Sequence, residues 1–202
     1  MIIDNFEQLE GILEFPNSDL FYVVEIIQRK KDGNSTTSRK NRIFKYYIIK
    51  SLVDLNKYKG EIVSMCDTYN ARAYITATAR SFKRVSKEYA KLVLDNLTKE
   101  NYNSMGKEFL SCCGKYPCSV GKQFIVDIDC KPSPEQKEKI FELITNSSNK
   151  GLNYCHLVQT PNGYHVLCEP FNVTKFKHDC IINHLDFVEI HKDGLTILYA
   201  NV

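Results

Sequence analysis

Apolar and polar positions alternate in two rhythms along this chain, and the switches between them mark its elements. Residues 21–28 and 43–49 are rich in Val, Ile and aromatics, which fits two strands. Between them lies a polar stretch, 29–42, with Asp32-Gly33-Asn34 at its middle, which predicts a hairpin tip. Residues 5–15 read as a short amphipathic helix stopped by Pro16, and 52–69 as a longer helix. Residues 71–78 are strand-like. Residues 81–97 predict a helix that Ser81 can cap, with Val85, Tyr89, Leu92, Val93 and Leu97 in one stripe. Residues 103–112 predict another helix and 114–121 a loop.

The order becomes regular from Lys122 onward. A strand at 122–129 is followed by a helix at 133–146, whose Ser133-Pro134-Glu135-Gln136 is a good start signal. Strands at 154–160 and 164–169 flank the turn Pro161-Asn162-Gly163. A helix at 173–183 leads to a strand at 186–191, and 195–200 is expected to pair with it across Lys192-Asp193-Gly194. The order β-α-β-β-α-β predicts a ferredoxin-like or RRM-like sheet, with its first and third strands as central neighbours and the fourth beside the first. The expected fold class is α+β: an N-terminal α/β module with a basic hairpin over 1–120, then a βαββαβ core over 121–202.

The chemistry concentrates on Gln123-Phe124-Ile125-Val126-Asp127-Ile128-Asp129. Alternation on a strand points Asp127 and Asp129 the same way, with Phe124, Val126 and Ile128 on the opposite, helix-covered face. Two acids at the end of a core strand repel unless a cation lies between them. Hard oxygen ligands favour Mg²⁺ or Mn²⁺. The plainer account is a strand running out into a polar loop. The predicted topology adds partners on the same face: His165 on the third strand, Glu189 and His191 on the fourth. That convergence is more specific than an isolated Asp-x-Asp.

Composition changes the picture little. With 202 residues and 43% hydrophobic positions the chain can bury a sizeable core, and a net charge of +3 names no partner. The 29–42 stretch holds six basic residues, Arg39 and Arg42 among them; most such side chains are only solvated, but the group could contact phosphates. Met1-Ile2-Ile3 is followed at once by Asp4, so no secretory signal is expected, and no run is long enough to span a membrane. The eight cysteines are therefore expected to be thiols in a reducing, cytoplasmic setting. Cys112, Cys113 and Cys118, with Cys130 or His156, form a weak zinc candidate, because no second Cys-x-x-Cys pair supports it. Cys155, Cys168 and Cys180 read as core.

Asp127-Ile128-Asp129, Gly163-Tyr164-His165 and a later acid at Glu189 resemble the archaeo-eukaryotic primase superfamily: an acidic pair in a hydrophobic strand, a small-x-His element, and an acid after a hydrophobic residue. The likeness covers mainly 122–200. Glu189 stands where Asp is usual in that family, and Asp186 and Asp193 are rival acids. Pro161-Asn162-Gly163-Tyr164-His165 and Glu189-Ile190-His191-Lys192 also resemble small phage-encoded proteins. The resemblance implies a metal-dependent nucleotidyltransferase in DNA replication, acting in the cytoplasm of a host cell. Asp127, Asp129 and Glu189 would hold Mg²⁺ or Mn²⁺, and His165 would contact the phosphates of a nucleoside triphosphate. Arg72, Arg80, Arg39, Arg42, His191 and Lys192 would hold a single-stranded template or a primer–template. The competing expectations are a non-catalytic RRM-like module that stacks bases on aromatic side chains, and a metal-dependent nuclease.

Overall fold

The computed structural model describes residues 1–29, 41–102, 105–148 and 154–201. The chain begins with β1 (Ile2–Asp4) and a single helical turn, α1 (Phe6–Glu10), then runs through β2 (Leu20–Gln28), β3 (Arg42–Ile49), α2 (Leu52–Tyr69), β4 (Arg72–Thr76) and β5 (Ala79–Ser81). It continues with α3 (Phe82–Thr98), α4 (Met105–Cys113), β6 (Ser119–Val120), β7 (Phe124–Ile128) and α5 (Pro134–Ser147). The last elements are β8 (Cys155–Gln159), β9 (Tyr164–Cys168), α6 (Val173–Ile182), β10 (Val188–His191) and β11 (Leu195–Asn201). The class is α+β, with antiparallel pairing throughout both sheets.

Seven strands form the first sheet, in the order β1-β11-β4-β2-β5-β6, with β3 also paired to β2. Phe21 and Val23 point to the face covered by α3 and the Cys112, Cys113 and Cys118 segment, where they pack with Val85. Tyr22, Val24 and Ile26 point to the other face, against Leu55, Ile62 and Cys66 of α2. Strand β2 is apolar on both faces because both are covered. Ser51 and Ser81 cap α2 and α3 by accepting from the amides of Asp54 and Arg84.

The second sheet has the order β10-β7-β9-β8. One face packs on α5 and α6 through Phe124, Val126, Ile128, Val166 and Cys168. Helix α5 starts on a capping box in which Ser133 and Gln136 satisfy each other's amides. The opposite face is not open. Ile125, Val158 and Leu167 join the core cluster of the first sheet and α2. The side chain of Asn5, 4% exposed, donates to the carbonyls of both Gln159 and Ile197, stitching β8 to β11 across the two sheets.

One expected pairing is corrected. Residues 195–201 do not form a hairpin with β10; they lie between β1 and β4 in the first sheet. Thr196 to Ala200 are all buried, as suits a central strand covered on both faces and not an edge beside β10. The segment read as 121–202 thus lends its last strand to the one read as 1–120. Further, the strand read over 71–78 is β4, which ends at Thr76; β5 follows it at Ala79–Ser81 and finds its partner β6 inside the stretch read as a loop.

Candidate active site

Strand pairing places the chemistry in one row. Val158, His165, Asp127 and Glu189 are successive register partners across β8, β9, β7 and β10. Directly opposed residues of an antiparallel sheet share a face, so the imidazole and two carboxylates look toward the first sheet. The next row, His156, Leu167, Ile125 and His191, shares that face. Its apolar members seal the space between the sheets on one side of Asp127. On the other side the strand runs out to Asp129, which is exposed.

Asp127 and His165 are the inner pair. The Nε2 atom of His165 lies 3.5 Å from Oδ1 of Asp127, and Nε2 of His191 lies 3.9 Å from Oδ2. Burial pushes the Asp127 carboxyl up to about 6; the nearby charges of Asp129 and Glu189 add to this, and His191 and Arg29 work against it. Burial pushes His165 down to about 4, helped by His191. At neutral pH this pair is therefore an ionised carboxylate beside a neutral imidazole. The other ring nitrogen, Nδ1, lies 3.0 Å from Oγ1 of Thr196 on β11, a residue of the first sheet with no exposed surface.

Gly163 enforces the approach of β9 to the end of β7. A Cβ there would sit 1.9 Å from the Ile128 carbonyl oxygen and 2.3 Å from that of Cys130. Only glycine lets the 160–163 turn lie against the backbone that carries Asp129.

Several expected site residues are placed elsewhere. Arg80 is 2% exposed and cannot hold a template: its guanidinium pairs with Asp193 at 3.0 Å and donates to Thr78 and Ser119. Asp193 also accepts from Ser119, Thr78 and the Gly194 amide, which removes it as a rival third acid. This buried network fastens the β10–β11 link to β5 and β6. Arg72 is buried in β4. Asp186 and Glu189 are both exposed, but Asp186 lies before β10 and Glu189 is the direct register partner of Asp127. Lys192 and His191 are exposed at the end of β10, and Arg42 is exposed at the outer end of β3, over the ring of Phe44. Arg39 and most of the basic hairpin lie outside the described residues, but Arg29 at its foot is near enough to favour the ionised Asp127. Cys112, Cys113 and Cys118 are buried among Phe21, Val23 and Val85.

Sequence reasoning missed Thr196 and Asn5, and placed Arg29 only among the basic residues of the hairpin, not beside Asp127. A polar residue inside the apolar run 195–200 was the available signal for Thr196. Among the described residues no three His, Cys, Asp or Glu side chains stand together as a ready cation site, which also leaves the zinc candidate unassembled. The donor set at Asp127 and Asp129 still suits a hard cation, because Mg²⁺ commonly takes one or two carboxylates and completes its shell with water and substrate phosphates. No family model matches the sequence, and no curated protein or solved structure is significantly similar to it.

Proposed function

We propose that the cleft between the sheets is the active site of a primase- or polymerase-like nucleotidyltransferase, built on a ferredoxin-like βαββαβ core. The observation that carries this reading is the cross-strand row of His165, Asp127 and Glu189, facing a second sheet that partly closes over it. A carboxylate confined as Asp127 is costs stability, as its raised pKa reflects, and sites of this kind are retained for function.

In this reading Asp127 and Asp129 hold Mg²⁺ or Mn²⁺ with the triphosphate supplying further oxygens, and Glu189 adds negative charge at the next strand. The cation would lower the pKa of a 3′-hydroxyl and neutralise charge on the transferred phosphoryl group. His165, neutral and held on both sides, faces the phosphates. Arg29 and the basic residues after it, with Lys192, supply cationic surface for a nucleic-acid backbone. Ile125, Leu167 and Val158 keep water from the closed side of Asp127. Eight unpaired thiols suit a reducing compartment, hence the cytoplasm. No helix among the described residues is long and apolar enough to cross a membrane.

The same packing speaks against a base-stacking RRM-like module, since the middle of the sheet face such a module uses, at Ile125, Val158 and Leu167, is covered by the first sheet. The test is incubation with Mn²⁺ or Mg²⁺, labelled ribo- or deoxynucleotides and single-stranded DNA or RNA. Synthesis or extension by the wild-type chain that Asp127→Ala abolishes is expected. Strand cleavage in its place would assign a nuclease. Metal-independent binding that survives Asp127→Ala, with no product, would leave a binding module and overturn the enzymatic reading.

A further inference from the structure

The His165 ring is gripped from two sheets at once, and its two partners are chemically unequal. Thr196 presents a hydroxyl that can donate or accept; an ionised Asp127 can only accept. Among the described residues His165 is the hydrogen-bond partner of the Thr196 hydroxyl. If Nδ1 carried the proton, the hydroxyl would accept, and its own proton would be left buried without an acceptor. The Nε2 lone pair would then face the Asp127 carboxylate at 3.5 Å. Both arrangements are unfavourable. If Thr196 donates to Nδ1, the hydroxyl proton is satisfied and the Nε2–H points at the carboxylate and the cleft.

We propose that Thr196 is a positioning residue that fixes His165 in its Nε2–H form, so that the cleft is offered a hydrogen-bond donor at that point and not a lone pair. His165 is then unsuited to ligate a cation or to act as a general base through Nε2. It is suited to an anionic oxygen, such as a phosphate oxygen, that enters beside Asp127. The second half of this inference rests on the nucleotidyltransferase reading; the first half does not. The residue responsible belongs to β11, the strand that leaves the acid-bearing sheet, so assembly of the two sheets is what sets the ring.

The chain has five histidines, few enough for long-range ¹H–¹⁵N spectra of the imidazoles at pH 8, with His165 assigned by its loss in His165→Gln. The wild-type ring is expected as a single Nε2–H form, a measurement that needs no other variant. Thr196→Val keeps the shape and removes the hydroxyl, and should give a mixture of the two neutral forms; Thr196→Ser should restore the single form. An Nδ1–H ring in the wild type, or an unchanged ring in Thr196→Val, overturns the proposal. Inorganic triphosphate titrated into the three proteins gives a second readout. Loss of one oriented donor should weaken binding by roughly three- to tenfold in Thr196→Val, with Thr196→Ser near wild type. Equal affinity in all three would overturn the link from Thr196 to ligand binding. Failure of the wild type to bind triphosphate would overturn the nucleotide reading of the cleft, while the ring spectrum still decides the role of Thr196.

Discussion

Asp127 and His165 are shifted by the same burial in opposite senses, and this has a measurable consequence. The native carboxyl near 6, against an unfolded value near 3.8, means the ionised Asp127 is disfavoured in the fold. Its contribution to stability is present below about pH 4 and lost as pH rises through 6. The native imidazole near 4, against 6.5, works the other way: its contribution is present above 6.5 and lost as pH falls toward 4. Across pH 4–6.5 the two nearly cancel. Asp127→Asn removes one side of the balance. It should raise stability at pH 7.5 by about 2–3 kcal/mol, since one pKa unit corresponds to about 1.4 kcal/mol. The variant should then lose that gain as pH falls from 6.5 to 4, where the wild type changes little. Urea unfolding at four pH values would show it; an Asp127→Asn protein less stable than wild type at pH 7.5, or parallel pH slopes, would refute the account. Strand alternation was enough to find Asp127, because period 2 is a local property. Arg80 was misread for the converse reason. A strand-end arginine looks the same in sequence whether it meets solvent or a buried partner, and its partner, Asp193, is 113 residues away.

Among the elements, the contact between β7 and the turn before β9 is the tightest constraint on the acidic strand. A methyl group at position 163 would meet backbone oxygens, which cannot swing aside as a side chain could. Gly194 is the natural control: a Cβ there would meet Cδ1 of Ile125 at 3.4 Å and Cβ of His191 at 3.9 Å, ordinary packing. Gly163→Ala should therefore cost about 1–3 kcal/mol or more by overpacking, and shift the amide signals of residues 128–130. Gly194→Ala should stay within about 0.5 kcal/mol of wild type, as most unstrained substitutions do. Equal unfolding midpoints for the two variants would contradict this. Elements with strong local signals were readable: α2 at its full length, and α5 from its Ser133 to Gln136 start. The two-residue β6 carries too little sequence to stand out, and it exists only because β5 needs a partner.

At the scale of the molecule, the candidate site was legible only in half. The row on β9, β7 and β10 follows from a βαββαβ order. That another sheet covers the row follows from where β11 goes, and strand partners distant in sequence leave no local trace. The two sheets that face each other at Asp127 are joined by the β10–β11 link, which the buried pair of Arg80 and Asp193 fixes in place. A ligand bridging the walls should therefore stabilise the whole chain. With only two carboxylates to offer, the protein should bind Mn²⁺ weakly until a nucleotide supplies more oxygens. Thermal unfolding with Mn²⁺ alone, with a non-hydrolysable nucleoside triphosphate alone, and with both should thus show strong synergy. At a hundredfold excess over Kd the pair of ligands adds about 2.7 kcal/mol, or a rise of roughly 5–10 °C in Tm for a chain of this size. Asp127→Asn should start from a higher Tm and show none of that rise. A full shift with Mn²⁺ alone would mean a closed protein cage for the cation, and the same synergy in Asp127→Asn would place the nucleotide away from β7.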